Sequence, residues 1–393
     1  MTMRRSHDCG SPGCVDAVIE AAVHARATGD PGKDRLVTRA LRLVLTTVLS
    51  AALSASPVFA YKISLKGRYH ERMTVLAERC LRGGEGYPIK CPIPASRQAF
   101  TSVPFKEGKY WFASRWSDDP TRQTSSTGAI KFLWNVGFDR CVKYIGDFND
   151  FPGVLCNGHY GTMQFLHSMA SVQPGETVDN AQAETFDQTS DKLLGWTEFA
   201  FRIATGALPV STPYCPAVRQ FGRAGDALAA PDFPYCNRWR VGTLFAFTCS
   251  DIFNSDTCSE NLSDDAIRLA ATGALLHMIQ DSYSRSHTGR GEDIPFGPYA
   301  AAEVRCAPVT SFYRYTRAQK KEHGSADRAP EFLADCSSGM DPITASARMI
   351  WLVENRCDPA WARELVSVGV VANRQTAIPA SVEQCRSAKS RID

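Results

Sequence analysis

Apolar residues at positions 267, 270, 274, 275 and 278 recur in steps of three and four, a period that predicts a helix over 262–286 with one buried face. Ser263 suits the N-cap of that helix, and Asp264 and Asp265 complement the positive end of its dipole. Tyr69, Met73, Val75, Leu76 and Leu81 give a partly helical pattern over 66–83, which the sequence GGEG stops. Further helices are predicted over 161–172, 183–208, 311–323 and 341–355. Residues 84–128 are rich in Pro, Gly and Ser without a sustained period and read as loop. Neither a run of alternating strands nor an internal repeat is visible, so the pattern predicts an all-α protein with long irregular loops.

Length and composition extend this picture. A chain of 393 residues with 44% hydrophobic residues can bury a sizeable core as one large domain or two smaller ones, which excludes a disordered tail. The net charge of +3, with no long Lys/Arg block, neither demands nor excludes a nucleic-acid partner. Lys33, Arg35, Arg39 and Arg42 precede the apolar stretch LVLTTVLSAALSA, which ends in SPVFA with Val58 and Ala60 where a signal peptidase reads. Residues 37–60 are therefore expected to be a signal peptide cleaved after Ala60, and 61–393 the mature domain, secreted or periplasmic. Residues 1–36 read as a start-site overcall or an extended leader.

The cysteines agree with export. Of 14, only Cys9 and Cys14 precede the signal; the even number that follows reads as a framework of up to six disulfides in an oxidising compartment, with pairing undetermined. Structural zinc on thiolates would require CxxC pairs, and the chain has none.

Histidine is scarce after residue 60: His70, His159, His167, His277, His287 and His323. His277 and Asp281 are spaced i, i+4, so on a helix both project from one face and can close on one ion. His287 follows His277 by about 1000° of ideal helical rotation, roughly 80° off that face. It joins the pair only at a neighbouring ion, and only if the helix ends or bends around residues 284–286. His323 and Asp327 form a second i, i+4 pair. Together these residues could hold two divalent ions, and imidazole with carboxylate suits zinc. A lone HxxxD is more often an ordinary hydrogen-bonding pair; the full HxxxDxxxxxH string is a much rarer accident in so histidine-poor a chain.

The string HMIQDSYSRSH resembles in its spacing the zinc-dependent phospholipase C family and the S1/P1 nucleases, which share an all-α fold and a three-zinc site. In that superfamily the string is followed by HxxxE in the phospholipases or HxxxD in the nucleases. The resemblance implies a multi-helix bundle with long loops, several disulfides and up to three zinc ions. It implies His277 and Asp281 as ligands on one side, with Asp281 bridging, and His287, His323 and Asp327 around another zinc. The sequence GRYHERMT resembles the early helix whose histidine binds zinc beside the mature N-terminus, implying His70 and the backbone amine and carbonyl of Tyr61. The family usually has Trp at that terminus; Tyr61 departs from it, but the ligands there are backbone atoms. SRWSDDP resembles the loop whose aspartate binds zinc and contacts the attacking water, implying Asp118 as ligand and catalytic group, with Asp119 in reserve. HYGTMQFLHSM supplies the last histidine; His167 matches the family arrangement better, and His159 is the reserve. The gaps between Asp118 and these histidines, and between His287 and His323, are long, which loop insertions tolerate.

The implied function is a secreted zinc phosphodiesterase, phospholipase C-like, which hydrolyses phospholipid at a membrane surface to diacylglycerol and a phosphorylated head group. An S1/P1-like single-strand nuclease acting on nucleic acid is the alternative. Asp327 argues for it, and SMAS after His167, without the aromatic and acidic residues those nucleases use to hold a base, argues against it. An inactive, metal-stabilised exported binding protein or toxin is the third class, because fold does not imply function. Trp111, Phe112 and Trp116 would line a choline pocket or a base-stacking platform, or simply belong to the core. No stable protein partner is expected.

Overall fold

The helix predicted from the 267–278 pattern lies at the heart of the described core. In the computed structural model the described residues are 68–84, 86–88, 90–118, 151–172, 184–229, 239–249, 258–260, 263–291, 307–314, 340–374 and 376–387. All of them lie in the compact unit Val58–Asp393. The expected signal peptide, residues 1–36, Tyr61, Asp119, His323 and Asp327 fall outside the described residues.

Helices α1 (Tyr69–Arg82), α2 (Arg97–Thr101), α3 (Phe151–Tyr160), α4 (Phe186–Thr205), α5 (Tyr214–Val218), α6 (Gly222–Leu228), α7 (Thr243–Ala246), α8 (Asp264–Asp281), α9 (Pro342–Glu354), α10 (Pro359–Glu364) and α11 (Val382–Arg386) follow in chain order. Of the described residues 58% are helical and 4% lie in strands, so the protein is mostly α, as the periodicity predicts. α8 packs against α4, α9, α1 and two short 3-10 turns, Ala113–Arg115 and Gln164–His167. Every residue from 270 to 281 is buried, so the helix is enclosed on all sides rather than along the single face expected.

The local chemistry accounts for most of these boundaries. The Ser263 hydroxyl accepts from the Ala266 amide and starts α8 as predicted. Thr185 and Gln188 close a capping box at the start of α4, and Gly206 ends it in the left-handed conformation. Asp341 accepts from the amides of Ile343 and Thr344, with Pro342 in the first turn of α9. α4 brings Trp196, Phe199 and Phe201 into the core. Trp116 lies 4.6 Å from the Phe245 ring and stacks on Trp196, so it belongs to the core and not to a substrate pocket.

Two expected helices are corrected. Over 161–172 the α-helix lies upstream, at α3, and the segment itself is a closed loop that keeps only the 3-10 turn Gln164–His167. Ser168 adopts a left-handed φ of 53°, and the Val172 amide returns to the Gly161 carbonyl. Residues 311 and 312, expected to begin a helix, instead end strand Val309–Phe312, which pairs antiparallel with Thr288–Arg290. Burial of Val309 and Phe312 favours the strand there. The second short sheet pairs Phe247–Cys249 with Cys258–Glu260. No helix among the described residues is long and apolar enough to cross a membrane.

Disulfides join Cys80 to Cys91 and Cys357 to Cys385, and Cys156 and Cys215 are also disulfide-bonded. Such bonds fit an oxidising compartment. The first two bonds span 11 and 28 residues, for which loop-closure entropy assigns about 2.8 and about 3.6 kcal/mol. Removing the second by Cys357→Ala with Cys385→Ala should therefore lower the unfolding free energy by about 3 kcal/mol, read from denaturant unfolding; an unchanged midpoint would contradict this.

Candidate metal centre

Close approach of α8 to the Ala113–Arg115 turn starts the site. A Cβ built on Gly273 would lie 1.9 Å from the Ala113 carbonyl oxygen, so only glycine lets the two backbones meet. One turn later, His277 Nδ1 donates to the Ser114 carbonyl at 2.8 Å. That bond turns His277 Nε2 inward, 3.0 Å from Asp281 Oδ2 and 3.6 Å from Asp118 Oδ1. The i, i+4 pair therefore shares one face, as its spacing predicts.

Other elements converge on the same two carboxylates. α1 brings the His70 ring against that of His277, centroids 3.9 Å apart, with His70 Nε2 3.4 Å from Asp281 Oδ1. The left-handed Ser168, whose hydroxyl donates to the Met278 carbonyl, fixes the loop that holds His167. His167 Nδ1 lies 2.9 Å from Asp281 Oδ2 and 3.8 Å from Asp118 Oδ1. His159, on α3, places Nε2 3.8 Å from Asp118 Oδ1. Both histidines between which the sequence left a choice thus reach the cluster.

His287 arrives by the route its rotation required. α8 ends at Asp281, and the Ser284 amide donates to the Asp281 carbonyl, folding the chain back. His287 Nδ1 donates to the His167 carbonyl at 2.6 Å and lies 3.5 Å from Asp281 Oδ2. The 80° offset of a straight helix does not apply, because the helix stops first. The Tyr313 amide, just past Phe312, donates to the His287 carbonyl and holds the turn in place.

These ligand atoms fall into three groups that could hold a metal ion: His70, Asp118 and His277; Asp118, His159 and His167; His167, His277 and Asp281. Within each group they lie within 4.8 Å of one another. Asp118, His167 and His277 each belong to two groups, so the three form one connected cluster. Both oxygens of Asp118, Oδ1 of Asp281 and Nε2 of His167 are buried and have no hydrogen-bond partner among the described residues. Buried polar atoms in that condition are costly, and bound cations would relieve that cost. Four imidazoles or more with two carboxylates suit a divalent transition metal.

The electrostatics agree. Burial alone would raise both carboxyls, yet His277 and the surrounding imidazoles hold Asp118 below the usual carboxylate range; with His287 leading, they hold Asp281 well below it. Burial likewise opposes the charge on His277, but Asp281 and Asp118 outweigh it and raise that imidazole to about 9. Burial pushes His167 down to about 4, leaving it neutral and able to ligate at physiological pH.

Sequence reasoning missed three supports of this site. Gly273 carries a signal, being a glycine inside a strong helical pattern. The Ser114 carbonyl is a backbone atom on an irregular turn and carries none. Gln280, whose amide meets His70, looks like any polar residue beside Asp281. No protein-family model, curated protein or solved structure matches this chain.

Proposed function

We propose that this protein is a zinc-dependent phosphoric-diester hydrolase, phospholipase C-like, acting on phospholipid. One observation carries this reading: the buried Asp118 carboxylate belongs to two ligand groups, one with His70 and His277 and one with His159 and His167. A carboxylate so placed suits a centre of more than one ion. The spacing of HMIQDSYSRSH supports the same class, since it resembles that of the zinc-dependent phospholipases C.

His70, Asp118, His159, His167, His277 and Asp281 would hold the ions, with His287 beside Asp281. When bound there, zinc would lower the pKa of a coordinated water and offset negative charge at a phosphoryl group. Asp118, held ionised, accepts a hydrogen bond from the attacking water and orients it toward phosphorus. His277 is fixed by the Ser114 carbonyl, so its Nε2 keeps one direction throughout. Asp118 and Asp281 are fully buried, which keeps bulk water from the carboxylates and strengthens the charge interactions among them.

Purified protein supplied with zinc is expected to release phosphocholine from lecithin, and His277→Ala should lower the rate by 10²-fold or more, on the scale of losing a catalytic metal contact. Hydrolysis of single-stranded DNA or RNA without lecithin cleavage would move the substrate to nucleic acid. Zinc stoichiometry near zero would overturn the metal centre itself.

A further inference from the structure

The Gln280 side chain joins three helices at a single amide. Its Oε1 lies 2.8 Å from His70 Nδ1, and its Nε2 donates to the Thr74 hydroxyl at 3.1 Å and the Ser346 hydroxyl at 3.2 Å. Thr74 is one turn along α1 from His70, and Ser346 is on α9. Gln280, Thr74 and Ser346 are fully buried. As placed, the amide NH₂ faces the two hydroxyls, which accept from it, and the carbonyl oxygen faces the imidazole. An acceptor at Nδ1 puts the proton of neutral His70 on Nδ1 and the lone pair on Nε2, the atom 3.4 Å from Asp281 Oδ1.

We propose that Gln280 is the positioning residue of the metal centre: its amide, locked by Thr74 and Ser346, fixes His70 in the tautomer and orientation that present Nε2 as a ligand. The inference rests on the metal-centre reading above and deepens it. A conservative exchange separates positioning from packing. Gln280→Leu keeps the volume but removes the acceptor, whereas Gln280→Glu keeps an acceptor for Nδ1 and lets the two hydroxyls donate in turn.

The test uses the full chain. Zinc affinity, read by competition with a chromophoric chelator, should fall about 10–100-fold in Gln280→Leu, the range for lost outer-sphere partners, and recover most of that loss in Gln280→Glu. Nitrogen-15 NMR of the metal-free protein should report the Nδ1–H tautomer of His70 in the wild type, and a mixture in Gln280→Leu. Equal zinc affinity in folded Gln280→Leu, or a wild-type His70 protonated only on Nε2, would overturn the proposal. If Gln280→Leu does not fold, Ser346→Ala with Thr74→Val frees the amide to turn, and unchanged zinc affinity in that variant would be equally contrary. If the wild type binds no zinc, the metal reading fails while the tautomer measurement still decides the role of Gln280.

Discussion

Asp281→Asn is expected to abolish metal binding while leaving the protein folded. The Asp281 carboxylate meets four imidazoles: His167 at 2.9 Å, His277 at 3.0 Å, His70 at 3.4 Å and His287 at 3.5 Å. An amide keeps the shape but loses the charge and turns two acceptor atoms into one. Loss of an outer-sphere partner lowers metal affinity by about 10–100-fold, so loss of the central charge should exceed 100-fold, measured by isothermal titration with zinc. The metal-free protein gives an independent readout. Asp281 and Asp118 raise His277 to about 9, so the wild-type imidazole is charged at pH 7. A raised imidazole stabilises the fold fully below its unfolded value of about 6.5 and loses that contribution as pH rises through about 9. Asp281, depressed, contributes above its unfolded value near 3.8 and loses that contribution as pH falls through its folded value. The pair therefore stabilises the metal-free protein most between about 4 and about 6.5. Without the Asp281 charge, His277 should titrate well below 9 and stability should decline less between pH 7 and 9. An NMR titration of His277 that still ends near 9 would show that another group supplies the charge.

The residues that carry this cluster were legible in the sequence to different depths. His277 and Asp281 could be read from helical periodicity alone, because an i, i+4 pair on a regular helix has one geometry. His287 could be read only up to a condition, since its position depends on where α8 stops, and the turn at residues 282–287 has no period to read. His159 and His167 could not be separated, because both reach Asp118: one from the end of α3, the other from a loop whose left-handed Ser168 no propensity predicts. The expected helix over 311–323 failed at residues 311 and 312 for a tertiary reason. A strand that can pair with Thr288–Arg290 and bury Phe312 outweighs local helix preference. Zinc as the metal, and phospholipid as the substrate, are proposed from the resemblance in spacing of HMIQDSYSRSH to the zinc-dependent phospholipases C.

Gly273→Ala should be the most damaging glycine-to-alanine exchange among the described residues. Inside a helix, alanine ordinarily gains about 1 kcal/mol over glycine, so helix propensity predicts stabilisation. Here the added carbon would stand 1.9 Å from the Ala113 carbonyl oxygen, 2.1 Å from its carbon and 2.7 Å from the Ser114 amide. All three are backbone atoms, which cannot rotate away as a side chain does, so α8 and the Ala113–Arg115 turn must separate. Overpacking of this kind costs about 1–3 kcal/mol where side chains yield and more where they cannot. The net effect is expected to be a loss of about 3 kcal/mol, and a fall in Tm of roughly 4 °C for a domain of this size. Separation would also lengthen the 2.8 Å bond from His277 Nδ1 to the Ser114 carbonyl and draw Asp118, three residues beyond Arg115, away from His277. Zinc affinity should thus fall together with stability, although no ligand has been changed. A Gly273→Ala protein as stable as the wild type would mean that α8 does not approach the turn so closely, and that the carbonyl holding His277 lies elsewhere.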